Sequence, residues 1–163
     1  MVRRRILRAG IAIALVAVSI FGLGAPANAS PSSFVAKAVH ANGAGALGVE
    51  VIGGITWYNR SVTLTDVRFY ANAGESGNVS FHGYQGTPNT YDPPLIDYVF
   101  YPGDGVYYHS GLTGTWFPIG DVLLDGSAVS GGITLVIIYI TDHTHNIAQE
   151  VICYRFYASC YVN

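Results

Sequence analysis

Between Ile133 and Ile140 the chain reads ITLVIIYI, eight residues that are apolar on both faces of a strand except at Thr134. A run of this kind fits a buried helix segment or a strand covered on both sides, and periodicity alone does not separate the two. Side-chain shape does. Ile133, Thr134, Val136, Ile137, Ile138 and Ile140 branch at Cβ, which crowds a helix and suits a pleated sheet. The run is therefore expected to be a central strand, which requires paired neighbours on both sides.

Those neighbours are present as shorter β-type runs separated by turn residues. ALGVEVIGGITWY alternates apolar Leu47, Val49 and Val51 with Gly48 and Glu50, and Gly53-Gly54 marks a bulge or bend. SVTLTDVRFYA follows after Asn59-Arg60, a tight hairpin connection. NVSFHGY alternates Val79 and Phe81 with Ser80 and His82. LIDYVFY and VYYHS flank Pro102-Gly103-Asp104-Gly105, where Pro presets φ and Gly accepts positive φ. Pro118 and Gly120 confine TWFPIGDVLLD to a sheet edge or a bend. After residue 29 there is no 3.6-residue apolar stripe and no internal repeat. Seven to nine strands at this spacing predict an all-β, two-sheet antiparallel sandwich with immunoglobulin-like Greek-key connections; the alternative is a closed β-barrel.

Residues 1–29 read as a secretory signal peptide: Arg3, Arg4, Arg5 and Arg8, the apolar core IAIALVAVSIFGLG, then Ala27-Asn28-Ala29. RRRILR also fits a twin-arginine signal apart from the missing Ser or Thr before it. Residues 30–45 look like a flexible N-terminal arm with room for an edge strand, and 46–163 form one β-sandwich domain. Four of the eight Lys and Arg lie in the leader and none of the ten Asp and Glu do. The remainder, with four cations against ten anions, does not suit nucleic acid or an anionic membrane surface. Localisation is expected to be extracellular.

Only two cysteines occur, Cys153 and Cys160, and export favours their pairing. One straight strand would hold their Cα atoms ~23 Å apart, beyond the span of a disulfide. The chain must therefore reverse within YRFYAS.

Three sets of residues have functional chemistry. Asp142-His143-Thr144-His145-Asn146 places two imidazoles at i and i+2, on one side of an extended backbone, where His143 and His145 share a metal if Asp142, His82, His109 or Asp97 supplies a third ligand. Asp and Asn also bracket the pair as turn formers, which makes a hairpin loop the competing reading. The second set is Tyr91, Tyr98, Tyr101, Tyr107, Tyr108 and Trp116, aromatic rings among carboxylates, suited to stacking on sugars or to protein recognition; alternating Tyr residues covering a sheet are the structural counterpart. The third is Glu50 and Glu150, whose use as a glycosidase pair requires them ~5–9.5 Å apart across a cleft. No nucleophile elbow, phosphate loop, dinucleotide fingerprint, zincin helix or calcium loop is present, and no cofactor is expected.

ITWYNRSVTLTDVRFYA, VSFHGYQG and SGGITLVIIYI before a terminal Cys pair resemble small secreted actinobacterial β-sandwich proteins of unknown function, over roughly Ile55 to Cys160. The resemblance implies export and fold and transfers no catalytic residue. The Tyr-rich insert from Thr87 is longer than in that pattern, and Cys153 lies deep in the final strand. The expected function is non-enzymatic binding of a polysaccharide or an extracellular protein through the Tyr-rich segment. The alternatives are a metal-binding protein or metal-dependent hydrolase using His143 and His145, and an inhibitor presenting the loop between Cys153 and Cys160.

Overall fold

The apolar run becomes β8 (Leu135–Asp142), placed between β4 (Ser76–Tyr84) and β9 (Ile147–Tyr154), with Ile138 opposite Phe81 on one side and Val151 on the other. The computed structural model describes residues 30–39, 47–101, 108–109 and 114–163. The leader 1–29, the Pro102–Gly105 turn and Tyr107 lie outside the described residues. β5 (Leu95–Tyr101) and β10 (Tyr161–Val162) complete the row β10-β9-β8-β4-β5, and the short β6 (Tyr108–His109) also pairs with β4. Facing this six-stranded sheet is a four-stranded one of order β1-β2-β3-β7, built from Ser33–Val39, Leu47–Trp57, Val62–Ala71 and Trp116–Leu124. All pairings are antiparallel, the sheets do not close into a barrel, and no helix occurs among the described residues. Crossings between the sheets set β7 beside β3 and β8 beside β4, neighbours that are not sequential.

The core is the inner face of each sheet. Val49, Val51, Val62, Leu64, Val67 and Phe69 of one meet Val79, Phe81, Val136, Ile138 and Ile140 of the other, all with no exposed surface. The stretch read as a loose arm contributes β1, which alternates buried Phe34, Ala36 and Ala38 with exposed Ser33, Val35, Lys37 and Val39. The arm thus supplies the edge strand that its sequence left room for, paired with β2 from Ser33 to Val39. Phe34 meets Phe81 edge-on at 6.2 Å, a contact between the two sheets. The alanines carry little apolar signal in sequence, yet their small size lets an edge strand sit close to the opposing sheet.

Several turn and breaker signals act as expected. Pairing of β2 with β3 slips between Ile52 and Gly54, the bulge predicted at Gly53-Gly54. The irregularity continues into Asp66 (φ 47°) on β3 and Gly120 (φ 88°) on β7, which lies at the sheet edge as Pro118 and Gly120 require. Asp66 is held by the Arg68 guanidinium at 2.6 Å. Arg60 donates to the carbonyl of Ser127 at 2.9 Å. That bond helps fasten the β2–β3 turn to the loop before β8, where Ile133 N donates to Arg60 O at 2.7 Å.

Cys153 and Cys160 form a disulfide with Cα atoms 4.2 Å apart, and the chain reverses between them so that Tyr161 pairs with Ile152. A bridge of this kind is characteristic of oxidising compartments. Loop closure over so short a span stabilises by about 2.5 kcal/mol on chain-entropy grounds. Replacing both cysteines by Ala is expected to lower the unfolding free energy by about that amount in a urea titration.

Two glycines separate backbone strain from crowding. Gly74 (φ 76°) has nothing near the position of an added Cβ, whereas at Gly132 (φ 62°) that atom would lie 2.3 Å from Arg60 Cα and 2.4 Å from Arg60 O. Gly74→Ala should cost about 1–2 kcal/mol, the penalty of a left-handed L-residue. Gly132→Ala should cost clearly more in the same assay, because backbone atoms of the β2–β3 turn must move.

Candidate functional site: the outer face of the six-stranded sheet

The aromatic residues singled out in sequence do not converge. Tyr98 lies on the outer face of the six-stranded sheet and is 59% exposed, whereas Tyr101, opposite Val79, packs against the core. Trp116 pairs with Tyr70 on the far side of the molecule, the outer face of the four-stranded sheet, with rings 5.5 Å apart. Tyr91 stands in the β4–β5 loop at 99% exposure. Tyr108 pairs through its backbone with Gly77. Strand parity is the reason: neighbouring side chains on β5 point to opposite faces, and β7 belongs to the other sheet.

A different aromatic grouping surrounds Tyr98. Cross-strand register aligns Tyr98, His82, Ile137, Ile152 and Tyr161 in one row over β5, β4, β8, β9 and β10. Five strands at the usual spacing make this row ~19 Å long. Beside it run Phe100, Ser80, Tyr139 and Glu150. The His82 ring is at the centre, 5.7 Å from Tyr98, 4.8 Å from Tyr139 and stacked on Tyr84 at 6.2 Å. Its Nε2 is 2.9 Å from Ser80 Oγ and its Nδ1 3.4 Å from the Tyr84 hydroxyl. Burial lowers the pKa of His82. Burial first, and then hydrogen bonding to Tyr84, pushes the Tyr139 phenol well above its ordinary range. The centre of the face is thus a neutral network of hydroxyls and imidazole among rings. Glu150, at its border, accepts from Asn163 Nδ2 at 2.9 Å.

At the other end of this face, Tyr161 stacks on Tyr154 at 6.0 Å, and Tyr157 lies 5.4 Å from Tyr154. The disulfide-closed loop is pinned: the Arg155 guanidinium donates to the carbonyls of Tyr58 and Asn59, and Ser30 Oγ donates to Arg155 O at 2.6 Å. Phe156 and Tyr157 project from it, 56% and 44% exposed. A depression of about 390 Å³ on the four-stranded sheet, beside the Gly53-Gly54 bulge, is bordered by Val35, Ile52 and the Arg68–Asp66 pair.

The Asp142–Asn146 segment is the hairpin loop joining β8 to β9, and it separates its two histidines. Asp142 has no exposed surface. Its Oδ1 accepts from the backbone N–H of Thr144 at 2.9 Å and of His145 at 3.1 Å, and its Oδ2 from His145 Nδ1 at 2.9 Å. Asn146 (φ 53°) turns the chain back into β9. His143 goes the other way, accepting at Nε2 from the Asn78 amide at 2.8 Å. The i, i+2 rule fails because it assumes extended backbone, and these residues are wound. Among the described residues, Glu75, Asp142 and His145 have ligand atoms lying within 4.8 Å of one another. Of the other candidate ligands, His82 is within the aromatic face, Asp97 accepts from the backbone N of Asp125 at 2.7 Å, and His109 pairs through its backbone with Ser76. Glu75 was legible as core-facing, since it shares the parity of Gly77, Val79 and Phe81; its proximity to Asp142 depends on strand pairing.

Glu50 and Glu150 lie in different sheets, each between residues that face the core, so they point to opposite outer faces. Glu50 is bound to Lys37 at 3.0 Å. They do not flank a common cleft.

The environment of His82 has a pH signature. With its pKa held below the ordinary 6.5 in the fold, the unfolded chain takes up the proton first as pH falls. Stability therefore drops from about pH 6.5 downward until folded His82 also titrates. His143, whose pKa is also lowered by burial against a smaller opposing effect of Asp142, adds in the same sense. His82→Gln is expected to flatten part of the decline between pH 7 and 5 in urea-unfolding curves; an unchanged slope would refute the assignment. No family model, curated protein sequence or solved structure matches this chain.

Proposed function

We propose that the protein is a secreted, non-enzymatic binding module that lays the outer face of its six-stranded sheet along an uncharged polysaccharide chain. The observation that carries this reading is the row Tyr98, His82, Ile137, Ile152, Tyr161, bordered by Tyr139 and Tyr84. Rings stack on the apolar face of a pyranose, and interleaved hydroxyl, imidazole and carboxylate groups take its hydroxyls. Ser80, His82, Tyr84 and Tyr139 supply such groups within the platform. The neutral centre of the face favours an uncharged ligand. An anionic polymer would meet a chain with few cations. Export is supported by the leader-like residues 1–29 and by the disulfide.

Pull-down on insoluble β-glucan, chitin and mycelial wall tests the reading. Tyr98→Ala and Tyr161→Ala, both at exposed positions, are each expected to weaken retention about 3- to 10-fold, the equivalent of one lost ring contact. Tyr91→Ala and Trp116→Ala should leave it unchanged. Retention that depends on Trp116 alone would move the site to the other sheet. The absence of retention on every matrix would reject a polysaccharide ligand and leave an extracellular protein, to which Tyr-rich surfaces are also suited.

A further inference from the structure

The outer row of the six-stranded sheet holds one residue per strand: Tyr98 on β5, His82 on β4, Ile137 on β8, Ile152 on β9 and Tyr161 on β10. Its ends stand out into solvent, Tyr98 at 59% and Tyr161 at 39% exposure, while the three residues between them are half-buried. Midway, the side chains of Tyr84 and Tyr139 are hydrogen-bonded to each other. They come from opposite sides of the row, because Tyr84 lies two residues after His82 on β4 and Tyr139 two residues after Ile137 on the antiparallel β8. Their hydroxyls therefore meet over it. Along its length the face presents a ring, a pair of hydroxyls and a second ring.

Resting on the binding reading above, we propose that the ligand is a single, unpacked chain of a neutral β-1,4-linked pyranose polymer that crosses the strands, with one sugar on each of β5, β4, β8, β9 and β10.

Spacing supports the linkage. Neighbouring strands are ~4.8 Å apart, close to the advance of one sugar in an extended chain whose glycosidic bonds are all equatorial, so sugar and strand keep step. Chains with axial linkages, and β-1,3-linked glucans, curl and lose that register. Twist sets the second condition. Adjacent strands turn by about 20–25°, so the outward direction rotates by about 80–100° between β5 and β10. A free chain follows this by turning about its glycosidic bonds. A chain locked in the flat face of a crystal does not, and it meets only one end of the row. The two end rings stack on the apolar faces of the first and last sugars, and the Tyr84–Tyr139 pair takes hydroxyls of the middle one. Charge sets the third condition. None of the four Lys and Arg residues after position 29 lies on a strand of this sheet, and Glu150 beside the row disfavours uronic or sulfated sugars.

The test is a calorimetric titration of the disulfide-intact chain with cello- and chito-oligosaccharides of increasing length. In at least one series, affinity should rise with each sugar up to the pentasaccharide and level off at the hexasaccharide. Tyr98→Ala and Tyr161→Ala should each lower pentasaccharide affinity about 3- to 10-fold. Neither should change trisaccharide affinity by as much, because the shorter ligand still occupies the intact end. Tyr161→Phe should keep the affinity of the unaltered chain; if Tyr161→Ala releases β10, Tyr98→Ala makes the same comparison at the opposite edge. Swollen, amorphous cellulose or chitin should retain the protein better than the crystalline form. A plateau already at the disaccharide, stronger retention on the crystalline form, or binding confined to α-linked, β-1,3-linked or anionic glycans would overturn this proposal while leaving the sheet face as a polysaccharide site. No binding to any glycan would remove both.

Discussion

The architecture depends on one constraint: β8 has apolar side chains on both of its faces and must lie inside a sheet. Its inward residues, Val136, Ile138 and Ile140, supply the centre of the core. Its outward residues, Ile137 and Tyr139, have no second layer of strands above them among the described residues. They are covered from the sides by His82 and Tyr84 of β4, Ile152 of β9 and, beyond it, Tyr161 of β10. The aromatic outer face is the consequence of that lateral shielding. The residue pattern that makes β8 central also creates this aromatic surface.

Much of the fold was legible because it rests on local chemistry. Branching at Cβ identified β8, Gly53-Gly54 marked the bulge, Pro118 and Gly120 marked an edge, and Asp142 with Asn146 marked a hairpin. The rest depends on pairing between distant segments. Tyr98 and Trp116 look like members of one cluster in a Tyr-rich stretch, but β5 and β7 belong to different sheets. His143 and His145 look like a ligand pair only if the backbone between them is extended, and the hydrogen bonds of Asp142 wind it. Glu75 carries no motif at all; it comes close to Asp142 because β4 and β8 pair with Gly77 opposite Asp142. An added Cβ at Gly77 would lie 2.4 Å from Thr141 O, so the glycine also permits the close approach that brings these carboxylates together.

The disulfide belongs to this face as much as to the core. Cys153 is fully buried on the inner side of β9, while Cys160 delivers Tyr161 to its pairing with Ile152. Two residues of pairing make a weak strand by themselves. The covalent link and the Tyr154–Tyr161 stack hold β10 at the edge, which extends the aromatic row by one strand. Redox state and surface chemistry are coupled here through a single short loop.

The two outer faces of the sandwich differ in physical character. On the four-stranded sheet, exposed Lys37 of the edge strand β1 holds the largely buried Glu50, and Arg68 with Asp66 forms an exposed ion pair. Such pairs contribute little stability, but charge and bulges along an edge discourage pairing with another chain. The six-stranded sheet has rings and neutral hydrogen-bonding groups at its centre instead. A chain with so few cations after its first 29 residues has placed two of its four on the sheet that keeps the domain solvated. The centre of the opposite face is left without formal charge, with Glu150 only at its border, which lowers the cost of removing water from that centre.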